Sequence, residues 1–163
     1  MSSGFAALDW YETPLYYDIV FAADDAPEGR FLEALHARYA SASPASKRPR
    51  VLEPACGSGR MLLELARRGF EVTGFDGNAS MLDFARARMR RAHKRARLVH
   101  GRLEKFDVGA NFDLAHCMVN TFKYLLDESA ARSHLQCVAR ALRPGGLYVI
   151  GLHLTDYDDP RRN

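Results

Sequence analysis

The sequence predicts an α/β fold, a mainly parallel five-stranded sheet with helices on both faces. Three observations predict it. Short apolar runs of strand length alternate with segments whose apolar residues recur at helical spacing, an order that parallel sheets produce. The stretch Val51-Leu52-Glu53-Pro54-Ala55-Cys56-Gly57-Ser58-Gly59-Arg60 reads as a buried strand passing through a small-residue turn into a helix. A second strand, Val72 to Phe75, then ends on the carboxylate of Asp76.

The elements follow in order. Residues 5 to 22 are rich in aromatics (Phe5, Trp10, Tyr11, Tyr16, Tyr17 and Phe21), and Pro14 suits the first position of a helix. Phe31, Leu32, Leu35 and Tyr39 recur at helical spacing and predict a second helix over 28–42. Residues 41–49 form a polar, proline-bearing linker. Beyond it the pattern predicts strand 50–54, helix 58–68, strand 71–75, helix 79–93 and strand 97–100. Strand 112–116, helix 127–142 and strand 146–154 complete the series. Asp127 is a start signal for its helix, and Pro144-Gly145-Gly146 is a stop signal after it. The organisation is therefore a helical cap and linker (1–49), a ligand-binding core (50–154) and a polar tail (155–163).

In an open α/β sheet ligands bind outside the carboxyl ends of the strands, and an acid ending the second strand is placed to accept both hydroxyls of a ribose. The third glycine of a dinucleotide fingerprint is missing, since Met61 and Leu62 follow Gly57 and Gly59. Glu53, just before the turn, would repel a pyrophosphate. A nucleoside carrying positive charge suits this pattern better than NAD.

These residues together resemble the class I S-adenosylmethionine-dependent methyltransferases. Glu53 occupies the acidic place of the family's first motif, Ala55 replaces its usual first glycine, and Gly57 and Gly59 match the other two. Asp76 matches the ribose-binding acid. Phe112 to Met118 looks like the fourth strand, and Leu142-Arg143-Pro144-Gly145-Gly146 looks like the turn into the fifth. The resemblance covers about Val51 to Leu154 and implies a Rossmann-like methyltransferase fold with S-adenosylmethionine as cofactor. The family sheet has seven strands, and this sequence carries five. The resemblance thus implies a core without the last two strands, with an exposed fifth-strand edge open to a second copy of the chain.

Composition agrees. Hydrophobic residues make up 47% and charged residues 26%, the balance of an ordinary globular domain. There is no apolar run of membrane-spanning length and no basic-then-apolar leader pattern, so no membrane partner is expected. Cys56, Cys117 and Cys137 are odd in number and lack CxxC spacing, which fits reduced thiols and a cytoplasmic setting rather than a disulfide frame or a zinc site.

For the site, the turn Ala55-Cys56-Gly57 with Gly59 lets backbone approach the ligand, and Glu53 faces the ligand's ammonium group. Asp76 holds the ribose, caps the following helix, or does both. Gly77, Asn78 and Met81 are expected beside the adenosine. Family members often place an acid where Arg102 stands. Guanidinium accepts no hydrogen bond, so adenine recognition falls to Leu103 backbone, Glu104 or stacking. Met118 follows the fourth strand where methyl group and acceptor meet, and Asn120 and Tyr124 are the expected acceptor contacts. Tyr17, beside Tyr16 and Asp18, resembles an N-terminal element folding over the cofactor, or else packs in an aromatic core. His116 and His153 read as packed histidines or as bases.

The expected function is methyl transfer from S-adenosylmethionine to a small-molecule acceptor. No catalytic residue or metal ligand is identified, because transfer from a sulfonium rests on positioning. A non-catalytic cofactor-binding or scaffold protein is the first alternative. An RNA methyltransferase is the second: Arg86, Arg88, Arg90, Arg91, Lys94, Arg95 and Arg97 form a basic run, yet the net charge is only +3. Nucleic acid is therefore less favoured. A nicotinamide-dependent oxidoreductase is the third.

Overall fold

The computed structural model describes residues 13–21, 25–40 and 48–152. Expectations for Phe5, Trp10, Tyr11, most of the 41–49 linker, His153 and the 155–163 tail lie outside the described residues. One parallel sheet runs in the order β3-β2-β1-β4-β5, comprising β1 (Arg50–Pro54), β2 (Glu71–Asp76), β3 (Arg97–His100), β4 (Phe112–Cys117) and β5 (Leu142–Ile150). The helices are α1 (Pro14–Phe21), α2 (Asp25–Tyr39), α3 (Arg60–Arg67), α4 (Ala79–Arg91) and α5 (Glu128–Ala141), with a 3-10 turn over Thr121–Tyr124.

Successive side chains of β1 point to opposite faces. Val51 joins Leu32, Leu62, Leu65, Val72, Leu82 and Leu114 under α2, α3 and α4. Leu52 joins Phe75, Phe112, Ala115, Val138 and Ala141 under α5. Each such side chain contributes about 1.5–3 kcal/mol by leaving water. β4 is buried along its whole length, as a central strand covered on both faces must be. Its buried Asp113 is neutralised by the Arg143 guanidinium at 2.5 Å and accepts the Arg50 amide at 2.7 Å, which ties β1, β4 and β5 together at their amino ends.

Several element boundaries differ from the expected ones, and those of α2, α3 and β5 have a clear physical reason. α2 spans Asp25–Tyr39 rather than 28–42, because Asp25 and Glu28 favour a helix amino end and Pro27 is tolerated in a first turn. α3 starts at Arg60 rather than 58, since Gly59 is left-handed at φ 74°. β5 starts at Leu142 rather than 146, directly after α5. Pro144-Gly145-Gly146 is not a turn before the strand but a bulge within it, and the pairing jumps from Phe112–Leu142 to Leu114–Leu147. The described strand then ends at Ile150 rather than 154.

Two glycines set the spacing of the layers. A Cβ on Gly59 would lie 2.9 Å from Ala85 Cβ, so this residue lets α3 approach α4. A Cβ on Gly74 would lie 2.6 Å from Leu62 Cδ1 and 2.8 Å from Cys56 Cβ. The bare backbone of β2 is what lets α3 and the preceding turn settle onto the sheet.

Candidate functional site

The strand order reverses between β1 and β4, and ligands of open α/β sheets occupy the crevice beyond the carboxyl ends at such a point. A cleft of about 600 Å³ opens there, within the size range of small-molecule sites. Its walls are Tyr17, Ala55, Gly57, Phe75, Asp76, Gly77, Asn78, Met81, Gly101, Arg102, Leu103, Glu104, Val119, Thr121 and Tyr124. A smaller, more polar cavity of about 40 Å³ shares Tyr17, Ala55, Gly57, Val119 and Thr121 with it, and adds Glu28, Glu53, Cys56, Ser58, Arg60 and Met118. Another cleft, about 660 Å³, lies by Lys105, Val108, Ala110 and Arg140, at the amino end of β4 where open sheets do not place ligands.

Asp76, the last residue of β2, accepts the Gly57 amide on Oδ2 and the Asn78 amide on Oδ1, both at 2.8 Å. These bonds lock the glycine turn to the strand end. Each carboxylate oxygen keeps a further lone pair for an outside donor. The helix-cap role considered for Asp76 belongs instead to Asn78, whose side chain accepts the Met81 amide at 3.0 Å. Met81 is thereby fixed on the cleft wall.

Glu53 sits one residue inside the end of β1, with its side chain on the α2–α3 face. Its Oε2 is buried and has no hydrogen-bond partner among the described residues. Burial pushes its carboxyl well above the ordinary range, and the negative charges of Asp76 and Glu28 push the same way, while a bond from the Leu62 amide opposes them. Arg60 is ion-paired with Asp25 at the start of α2.

Backbone strain clusters at this end of the sheet. Ala55 (φ 50°), Val119 (φ 54°) and Asn120 (φ 61°) are all left-handed. The conformation is costly for any residue with a Cβ and most so for a β-branched one. At Ala55 it accounts for the glycine that the resembling family prefers.

The far wall is held by a residue that the sequence reading did not single out. His134, buried on α5, meets the Leu103 carbonyl through Nδ1 at 2.8 Å and the Tyr148 hydroxyl through Nε2 at 2.6 Å. Because the carbonyl only accepts, Nδ1 carries the proton and Nε2 accepts from tyrosine. Phe106 and Phe122 lie edge-on against the same ring. The Gly101–Glu104 wall and the 3-10 turn therefore share one support. At the rim Arg102 pairs with Glu104 at 3.2 Å, and this neighbour lowers the Glu104 carboxyl.

α1 borders the cleft through Tyr17. Asp18 accepts the Ser58 hydroxyl at 2.9 Å and pairs with Arg88 of α4, which places Tyr17 on the walls of both cavities. Burial raises the Tyr17 hydroxyl.

Fourteen of the sixteen expected site residues thus line one cavity or the other. Gly59 does not, acting through helix packing, and Asn120 does not: its neighbours Val119 and Thr121 face the cleft in its place. Glu28, Arg60, Phe75 and Gly101 complete the walls without a local motif to mark them. His116 is on neither wall; it is fully buried, and burial pushes its imidazole down to about 3. That is a packed histidine and not a base. In the basic run, Arg86 pairs with Asp83, Arg88 with Asp18, and Arg97 donates to the Val108 carbonyl.

A family model described as a methyltransferase domain matches residues 51–146. The chain belongs to the methyltransferase domain family. Membership sets aside the nicotinamide oxidoreductase. Among relatives of this methyltransferase-domain chain, the glycine N-methyltransferase of Rattus norvegicus is 32% identical over 121 residues, spanning 66% of this chain and 41% of the relative. The glycopeptide N-methyltransferase MtfA, solved in complex with S-adenosyl-L-methionine, is 27% identical with a TM-score of 0.67. Its match covers 83% of this chain and 57% of that one. CalS10, an amino pentose methyltransferase from Micromonospora echinaspora solved with S-adenosylmethionine, is 25% identical with a TM-score of 0.70, covering 86% and 57%. The chain spans about two fifths of the length of the curated relatives it matches. Among the described residues, no helix is long and apolar enough to cross a membrane.

Proposed function

We propose that the cleft binds S-adenosylmethionine and that the chain supplies the cofactor-binding core of a methyltransferase acting on a nitrogen of a small-molecule acceptor. One observation carries the reading: two acidic side chains, Glu53 and Asp76, stand at the carboxyl ends of neighbouring strands on either side of the Gly57 turn. Asp76 takes the ribose hydroxyls. The adenine lies between Met81 and Leu103, and with Arg102 and Glu104 paired to each other it is held by apolar contact and backbone. The amino-acid end lies at the mouth of the smaller cavity, and its ammonium group enters to meet Glu53. Met118 and Val119 bound the methyl group, and Thr121 and Tyr124 face the acceptor.

No nucleophile or metal is needed, because the sulfonium carbon is already electrophilic and alignment of an amine in line with it supplies the rate. The N-methyltransferases among the relatives support nitrogen as the acceptor atom. Three buried free cysteines support a reducing, cytoplasmic setting. β5 pairs only with β4 among the described residues, which supports pairing of its edge with a second copy, checked by light scattering.

Incubation with methyl-labelled S-adenosylmethionine and a panel of glycine, amino sugars, matched hydroxyl compounds and RNA tests the reading. Label is expected on the amines. Saturable binding without transfer to any of them would favour a non-catalytic cofactor binder, and label on RNA alone would overturn the small-molecule assignment.

A further inference from the structure

The smaller cavity brings two acidic side chains onto one wall. Glu53 reaches it from β1 and Glu28 from α2, with Asp76 near by at the end of β2. Four side chains from neighbouring segments stand near Glu53. Arg60 on α3 is engaged by Asp25, and Tyr17 on α1 has its hydroxyl raised. The Cys56 thiol in the turn is pushed well up, so it stays neutral. His116 on β4, one residue beyond the Leu52–Ala115 pair and on the same sheet face as Glu53, is neutral for the reason given above. The Leu62 amide donates to the Glu53 carboxyl. Glu53 Oε2 remains buried and without a hydrogen bond among the described residues. An ionised carboxylate held so is costly, and a buried acid in that position keeps its proton.

We propose that Glu53, with Glu28 on the same cavity wall, keeps its proton while no cation occupies the cavity and releases it to solvent when the ammonium group of an amino-acid-bearing nucleoside enters. The inference rests on the cofactor reading above and adds a coupling that the reading does not require. The balance is simple. A carboxylic acid and an ammonium become a carboxylate–ammonium pair and a proton in bulk water, so net charge is conserved. About 40 Å³ is room for an ammonium-sized group and little else. The site therefore senses the charged end of the ligand, whereas the 600 Å³ cleft senses the nucleoside. Ligand affinity then rises with pH over the range in which Glu53 still holds its proton, by up to about tenfold per pH unit. A nucleoside lacking the amino-acid arm shows no such rise.

Calorimetric titration of the wild-type chain with S-adenosylhomocysteine at pH 7 decides it, run in phosphate and in Tris at equal pH and ionic strength. The two buffers differ in ionisation enthalpy, so a released proton makes the observed enthalpies differ by a term proportional to the number released. Net proton release on binding is expected, and none with 5′-methylthioadenosine, which carries the nucleoside and thioether without the amino-acid arm. Glu53→Gln should abolish the buffer dependence while still binding methylthioadenosine; should that variant not fold, the wild-type comparison stands alone. Equal enthalpies in both buffers would overturn the inference and leave the cofactor reading intact. No binding of S-adenosylhomocysteine would overturn both.

Discussion

Removing the Asp18 carboxylate should unpin α1 from the cleft and leave the sheet intact. α1 has eight residues, well short of the roughly 12–15 at which an isolated helix becomes even marginal in water. Leu15, Tyr16, Ile19 and Val20 are between 57% and 67% exposed, so burial holds it weakly. Asp18 supplies the specific attachment, through Ser58 at one oxygen and Arg88 at the other. Bonds to a charged group contribute about 1.5–3 kcal/mol each. Screening at this half-open edge brings the pair to about 2–4 kcal/mol. Local opening of α1 then becomes roughly 30-fold to 1000-fold more frequent. Hydrogen exchange followed by mass spectrometry reads this directly. In Asp18→Ala, α1 amides should exchange faster by about that factor while β1 and β2 keep their protection, and S-adenosylhomocysteine should dissociate faster because Tyr17 leaves the walls. Unchanged protection of α1, or equal acceleration across the sheet, would refute the reasoning.

Four further outcomes are expected. Asp76→Ala loses two bonds to a charged acceptor, about 3 kcal/mol at the low end, so the Kd for S-adenosylhomocysteine should rise by at least roughly 100-fold in a variant whose circular dichroism is unchanged. Ala55→Gly removes the cost of a left-handed Cβ, partly offset by glycine's greater unfolded entropy. A gain of about 0.5–1 kcal/mol is expected, and a lower melting temperature would count against it. His116 refuses in the folded chain, down to about pH 3, a proton that the unfolded chain accepts below the ordinary value of 6.5. Its contribution to stability is therefore full above pH 6.5 and is lost as pH falls toward 3. His116→Leu should flatten that acid limb of melting temperature against pH, and an unaltered limb would contradict the assignment. Glu53 has the opposite sign: its raised carboxyl costs stability as pH climbs above 4.5, so Glu53→Gln should raise stability on the alkaline side.

The β1–turn–α3–β2 unit was legible because its signals are local. Gly57 and Gly59 mark the turn, the apolar runs mark the strands, and Asp76 stands at a strand end where its role follows from topology. Asp127 also caps α5 as its position predicts, accepting the Ala130 amide. What stayed hidden depends on contacts distant in sequence. Pro144-Gly145-Gly146 carries the same local signature in a bulge as in a turn, and only pairing with β4 distinguishes them. Glu28 reads as an ordinary first-turn acid of α2 until the packing of α2 on α3 brings it to Glu53. His134 has no motif at all, and its importance comes from the 31 residues that separate it from Leu103 in sequence but not in space. The left-handed Val119 is invisible for a related reason, since a β-branched residue is the last that propensity would put there.

The central claim is that this core holds S-adenosylmethionine between Asp76 and Glu53. Calorimetric titration of the 163-residue chain with S-adenosylmethionine and S-adenosylhomocysteine, with NAD as control, tests it most directly. The account predicts saturable one-to-one binding of both sulfur nucleosides and none of NAD. A well-folded chain that gives no binding heat with either would contradict it.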